Sequence, residues 1–116
     1  MGRPVVHFEI LGSDAAKLQA FYRELFDWTI RQAPMDYGLV HTEAGTGIDG
    51  GIGKSEKGPA VNIYIEVDDL QAHLDEIEQM GGKTVVPVTE IPGQVTFAQF
   101  ADPEGNVVGL VKSEQS

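Results

Sequence analysis

Residues 4 to 11 alternate Val6, Phe8 and Ile10 with His7, Glu9 and Leu11, the period-two pattern of a strand whose two faces meet different surroundings. The apolar set is expected to pack on a helix. That helix is expected to begin at Ser13 or Asp14, both competent N-caps, and Leu18, Phe21, Tyr22, Leu25 and Phe26 recur along it at spacings of three and four before Asp27 and Trp28. Such a stripe requires a sheet to cover it. Short strands are expected at residues 29 to 33, 37 to 42 and 48 to 52, separated by the turn formers Pro34-Met35-Asp36 and Glu43-Ala44-Gly45-Thr46-Gly47. A polar linker, residues 54 to 59, leads to a second strand with Val61, Ile63, Ile65 and Val67 on one face and Asn62, Tyr64 and Glu66 on the other. A second helix is expected from Asp68 or Asp69, with Leu70, Leu74, Ile77 and Met80 on one side and Gly81-Gly82 as its stop. Strands at residues 83 to 89, 95 to 101 and 106 to 112 complete the series.

The two halves repeat each other. Val5-Val6-His7-Phe8-Glu9-Ile10 followed by Asp14 returns 55 positions later as Ala60-Val61-Asn62-Ile63-Tyr64-Ile65 followed by Asp69. Two similar β-α-β-β-β units can cover each other's apolar faces. The expected fold is therefore α+β: one domain over residues 1 to 116, built of two βαβββ modules, about 4–54 and 60–112, whose curved mixed sheets surround a cleft. Charged groups bury poorly on a helix-covered face without partners. Glu9 and Glu66, with His7, Asn62 and Tyr64, are accordingly expected to face the cleft, with Tyr37, Phe97, Trp28 and Met35 as aromatic and apolar lining. Trp28 and Phe26, at the end of the first helix's stripe, are expected in core or subunit packing.

Composition narrows the partners. Eighteen acidic against eight basic residues give a formal net charge of −10, which disfavours nucleic acid and anionic membranes and tolerates neutral or cationic ligands. The absence of cysteine removes disulfides, thiolate metal sites and cysteine nucleophiles. No run approaches the length of a membrane span, and a cytoplasmic setting is the expectation.

Four segments carry a family likeness: Val6-His7-Phe8-Glu9-Ile10, Phe21-Tyr22-Arg23-Glu24-Leu25-Phe26-Asp27-Trp28, Val67-Asp68-Asp69-Leu70, and Phe100-Ala101-Asp102-Pro103-Glu104-Gly105-Asn106. In this order they resemble the vicinal oxygen chelate superfamily of glyoxalase I, bleomycin-resistance proteins and extradiol dioxygenases. The resemblance implies paired βαβββ modules around a cavity, with metal ligands on the first and fourth strands of each module in metal-dependent members. His7 and Asn62 match the first-strand positions, Gly109 matches one final-strand position, and the other falls near Gly51. Only His7 keeps the usual residue type. Asn62 stands where a second His is usual and Gly109 where glyoxalase-like enzymes carry Glu.

A catalytic divalent metal usually takes about three protein ligands from His, Asp and Glu. His7 with Glu9 supplies two on one strand face, and Glu66 or Asp49 would have to complete the set. The expectation is therefore a small-molecule-binding protein of the glyoxalase/bleomycin-resistance type with no cofactor and no complete metal site. The alternative is a metal-dependent lyase, isomerase or dioxygenase of the same superfamily, its divalent metal held by His7 with Glu9 or Glu66. Catalytic candidates are His7 as a general base, whose charged form a nearby Glu9 would favour, and Glu9 and Glu66 as a carboxylate pair. Ligand-binding candidates are His7, Glu9, Asn62, Tyr64, Glu66, Tyr37, Phe97 and Gly109. The expected partners are a small organic molecule, cationic or neutral, and a second copy in a homodimer. A third reading is a bare assembly module. The string Gly47-Ile48-Asp49-Gly50-Gly51-Ile52-Gly53-Lys54-Ser55 is not a phosphate loop, because five residues separate its first glycine from Gly-Lys-Ser and Pro59 precludes a following helix. Asp102 to Asn106 reads as a tight turn.

Overall fold

A computed structural model describes residues 2 to 113. The chain runs β1 (Val5–Gly12), α1 (Ala15–Phe26), β2 (Thr29–Ala33), β3 (Tyr37–His41), β4 (Gly50–Lys54), β5 (Ala60–Val67), α2 (Leu70–Gln79), β6 (Lys83–Ile91), β7 (Val95–Ala101) and β8 (Val107–Lys112). These are two βαβββ repeats. In each, the first and last strands pair in parallel and the rest antiparallel, giving the mixed orders β2-β3-β4-β1 and β6-β7-β8-β5. The β4 strand lies two residues later than expected, because the glycine-rich run before it has no alternation to mark its start. By compactness the described chain divides within β5, into Val6–Asn62 and the remainder.

In the unit Val6–Asn62, Asp14 caps α1 by accepting from the Lys17 amide at 3.1 Å, and Asp27 closes the helix in the left-handed region at φ 60°. Ile52 and Val40 are fully buried in the sheet. Against expectation, α1 turns Ala15 and Gln19 inward, while Phe21, Leu25 and Phe26 are 57, 61 and 52% exposed. Gln19 joins helix to sheet: its amide donates to the Ile52 carbonyl at 2.8 Å and its oxygen accepts from Gln32 at 2.7 Å. A β-carbon at Gly38 would meet that amide, so glycine is what lets the helix approach β3. Phe8 packs on Trp28, just past the end of α1, with ring centroids 5.5 Å apart.

The other unit has a conventional core of Val67, Leu70, Leu74, Ala98 and Leu110, flanked by Ile65, Ile77 and Phe100. Asp69 caps α2 through the Ala72 amide at 3.0 Å, and Gly81 at φ 98° turns the chain so that the Gly82 amide reaches the Ile77 carbonyl. Met80, the C-cap residue just before this stop, is 75% exposed rather than packed. Ile63 of β5 is 40% exposed, while Ile65 and Val67 of the same strand face join the core. The 102–106 turn forms as read: Asp102 accepts from the Glu104 and Asn106 amides and from the Asn106 side chain, bonds that hold its carboxyl below the usual aspartate range.

Candidate functional site

Parallel pairing sets Glu9 opposite Gly51, and antiparallel pairing sets Leu39 opposite the same glycine. Side chains alternate along a strand, so His7 and Glu9 of β1 share a sheet face with Gly51 and Gly53 of β4 and Tyr37 of β3. The two glycines leave that face bare. Tyr37 fills it: a β-carbon at Gly51 would fall on the phenol, and one at Gly53 would come within 2.7 Å of the same ring. The ring thus crosses β4 and delivers its hydroxyl to β1.

There the hydroxyl bridges two site candidates. The Tyr37 Oη donates to Glu9 Oε2 at 3.1 Å and lies 2.9 Å from His7 Nε2. With its own proton directed at the carboxylate, Oη accepts from an Nε2–H. The His7 and Tyr37 rings run nearly parallel, at 16°. Asn62 donates its side-chain amide to Glu9 Oε1 at 3.3 Å, so each oxygen of the buried Glu9 carboxylate has a donor. His7, Tyr37, Glu9 and Asn62 form one hydrogen-bonded chain within a single compact unit.

Burial holds the His7 pKa below its ordinary value of 6.5, outweighing the opposite pull of Glu9 and Asp49. Glu9 does favour the charged imidazole, as expected, but burial outweighs it. The cost of desolvation exceeds the carboxylates' attraction, and the ring is neutral at pH 7.

One pair escaped the sequence reading. His41, at the end of β3, lies 3.5 Å from Asp49 through Nδ1 and Oδ2, and Asp49 also accepts from the Thr42 amide at 3.1 Å. Continuing the two strand pairings by one residue puts both on a row with His7. His41 stands four residues after Tyr37 and so shares its face, the one signal that could have found it.

In the second unit, Tyr64 is buried and its ring covers Gly109, the residue opposite it, while its hydroxyl accepts from Gln99 at 2.9 Å. Glu66 follows on the same strand face opposite Val111, and Phe97 is opposite Val111 on the other side, both half-buried. Met35, read as lining, is 79% exposed at the tip of the β2–β3 hairpin.

The donor set does not fit a family-type metal. Among the described residues no three His, Asp or Glu side chains gather to hold an ion. At the two final-strand positions, Gly51 and Gly109, tyrosine rings occupy the space that a ligating side chain would need. A hollow of about 420 Å³ lies elsewhere, at the start of α1 between Asp14, Gln19, Gln32 and Lys54, and contains none of the candidates. No helix among the described residues is long and apolar enough to cross a membrane.

Comparison with known proteins agrees with this architecture. Residues 5–110 match the model of the Glyoxalase/Bleomycin resistance protein/Dioxygenase superfamily. A glyoxylase-like domain-containing protein of Didymella fabae is 30% identical over 109 residues, covering 84% of each chain. A Mycobacterium tuberculosis protein provisionally named as a glyoxylase, CFP32, is 29% identical over 107 residues, and the chain spans only 41% of its length. Methylmalonyl-CoA epimerase from the same organism superposes with a TM-score of 0.68 over 93% of this chain and 86% of its own, at 14% identity, a likeness of fold alone.

Proposed function

Because the chain belongs to the glyoxalase/bleomycin resistance/dioxygenase superfamily, we propose that it is a proton-transfer enzyme, an isomerase or lyase acting on a small carbonyl compound. The observation that carries this reading is the Tyr37 hydroxyl between His7 Nε2 and Glu9 Oε2. A proton on carbon next to a carbonyl needs a base at the carbon and a donor at the oxygen that becomes an enolate. Glu9 takes the role of base. As it accepts the proton, its pull on the Tyr37 hydroxyl weakens, and that hydroxyl turns to the developing oxyanion while neutral His7 holds the phenol oxygen in place. Asn62 keeps the carboxylate aimed. His41 and Asp49 border the same face, and Tyr64, Glu66, Phe97 and Gly109 remain candidate ligand contacts. No step passes through a metal, since the residues at hand do not supply its ligands.

The epimerase of similar fold is named for a coenzyme A ester. A net charge of −10 opposes so anionic a carrier, and the proposed substrate is a neutral or cationic carbonyl compound of a soluble, cytoplasmic protein. The test is solvent exchange: small ketones, aldehydes and amino-ketones are incubated with the protein in D2O and followed by NMR. Deuterium entering next to the carbonyl with wild type and not with Glu9→Gln supports the proposal; equal rates in both defeat it. The second reading, sequestration of a drug-like molecule as in bleomycin-resistance proteins, is favoured by the tyrosine-covered glycines at the ligand positions. Its mark is stoichiometric binding without exchange.

A further inference from the structure

We infer that the site is built for elimination: His41, held by Asp49, is the general acid that protonates a leaving group β to the carbonyl whose α-proton Glu9 removes. The inference rests on the role of base proposed for Glu9 and gives the substrate a class, a β-hydroxy carbonyl compound. His41 ends β3 and Asp49 directly precedes β4. Their Nδ1 and Oδ2 atoms are 3.5 Å apart, and the Thr42 amide donates to the other Asp49 oxygen at 3.1 Å. A carboxylate fixed in this way settles the ring, with Nδ1–H toward Asp49 and Nε2 on the opposite side. Among the described residues Nε2 has no partner within the chain, and the side chain is half-exposed.

The pair stands where a second acid is needed. Because β4 lies between β1 and β3, Glu9 and His41 are on strands about 10 Å apart, and the ring of Tyr37 spreads over Gly51 in the gap. An elimination uses both ends of that gap. Glu9 takes the α-proton, the C–H electron pair becomes the Cα–Cβ double bond, the bond from Cβ to oxygen breaks, and Nε2–H gives the proton that turns the departing oxygen into water. The Tyr37 hydroxyl meets the carbonyl oxygen while charge collects on it. Solvent then returns a proton to His41 and takes the one on Glu9, so the products are an unsaturated carbonyl compound and water. Hydroxide leaves poorly, and a positioned acid is worth about 10²- to 10⁴-fold. His7 does not serve instead, because its Nε2–H is engaged by the Tyr37 oxygen.

Elimination rates of β-hydroxyethyl methyl ketone and of its β-(para-nitrophenoxy)ethyl analogue test the assignment, because nitrophenoxide leaves without a proton. The chain has no cysteine for the enone product to alkylate. Wild type is expected to eliminate from both. His41→Phe and His41→Gln are expected to slow the hydroxy ketone by about 10²- to 10⁴-fold and the nitrophenoxy ketone by less than about tenfold. Asp49→Asn, which removes a positioning residue, should show the same dependence on leaving group with a smaller loss. Circular dichroism confirms folding, and two replacements at His41 guard against a collapse of either one. Equal losses with the two leaving groups would make His41 a structural residue and overturn the proposal. A wild type that exchanges α-protons in D2O yet eliminates neither group would leave Glu9 its role and strip His41 of its own; a wild type that does neither would sink both.

Discussion

Tyr37 lies across Gly51, so close that a β-carbon on the glycine would coincide with the phenol. The glycine is therefore a steric requirement of the His7–Tyr37–Glu9 chain and not a turn signal. Gly51→Ala is expected to expel the ring and destabilise the protein by about 1–3 kcal/mol, the usual range for overpacking. Urea unfolding measures it. In a Tyr37→Ala background the same substitution should cost much less, since the obstacle is gone; an unchanged cost would place the strain elsewhere.

His7 gives stability a pH dependence of definite sign. Its folded pKa is lowered by burial, so the unfolded chain binds the proton more readily. The contribution is complete above about 6.5, the unfolded value, and is lost as pH falls from there toward the folded value. Unfolding free energies from pH 7.5 downward should decline through this window, and His7→Gln should flatten that part of the curve. A wild-type profile that rises on acidification would mean that the carboxylates prevail over burial.

Gln19 joins α1 to the sheet through a buried amide. Gln19→Leu keeps the bulk but strands the Ile52 carbonyl and the Gln32 amide, at an expected cost of about 1–3 kcal/mol. Differential scanning calorimetry reads this as a lower Tm. Gln32→Ala, which removes an exposed partner, should cost less.

The β2–β3 hairpin holds two consecutive non-glycine residues, Met35 at φ 68° and Asp36 at φ 59°, in the left-handed region. Asn-Gly is the sequence such geometry favours. Met35→Asn/Asp36→Gly is expected to raise stability by about 0.5–1 kcal/mol in urea titrations. No gain would mean that the exposed Met35 side chain holds the tip in another way.

Alternation and repetition made most of the fold legible. His7, Glu9, Asn62 and Tyr64 could be assigned to strand faces because a strand's period of two leaves no choice, and Asp14 and Asp69 announced both helices. What remained hidden was contact between elements. The spacing of Phe21, Leu25 and Phe26 shows that they share a region of α1, but not that the helix meets its sheet through Ala15 and Gln19. The join of His41 to Asp49 depends on the β3–β4 register, and the glycines from 45 to 53 carry no pattern that sets it. Tyr37 was legible as lining but not as the bridge between His7 and Glu9, because its reach depends on two glycines of another strand. The sign of the His7 shift was likewise out of sight, for desolvation is a property of the assembled surroundings.

The central claim is that His7, Tyr37 and Glu9 act as one proton-transfer unit, and a mutant cycle on the solvent-exchange rate tests it most directly. With an exchanging carbonyl compound in hand, His7→Gln, Tyr37→Phe and Glu9→Gln are compared with their double combinations. Groups acting together are non-additive: each double should be little slower than its slower single, with losses of about 10²- to 10⁴-fold for Glu9→Gln. Strictly multiplying losses, or exchange untouched by Tyr37→Phe, would contradict the account.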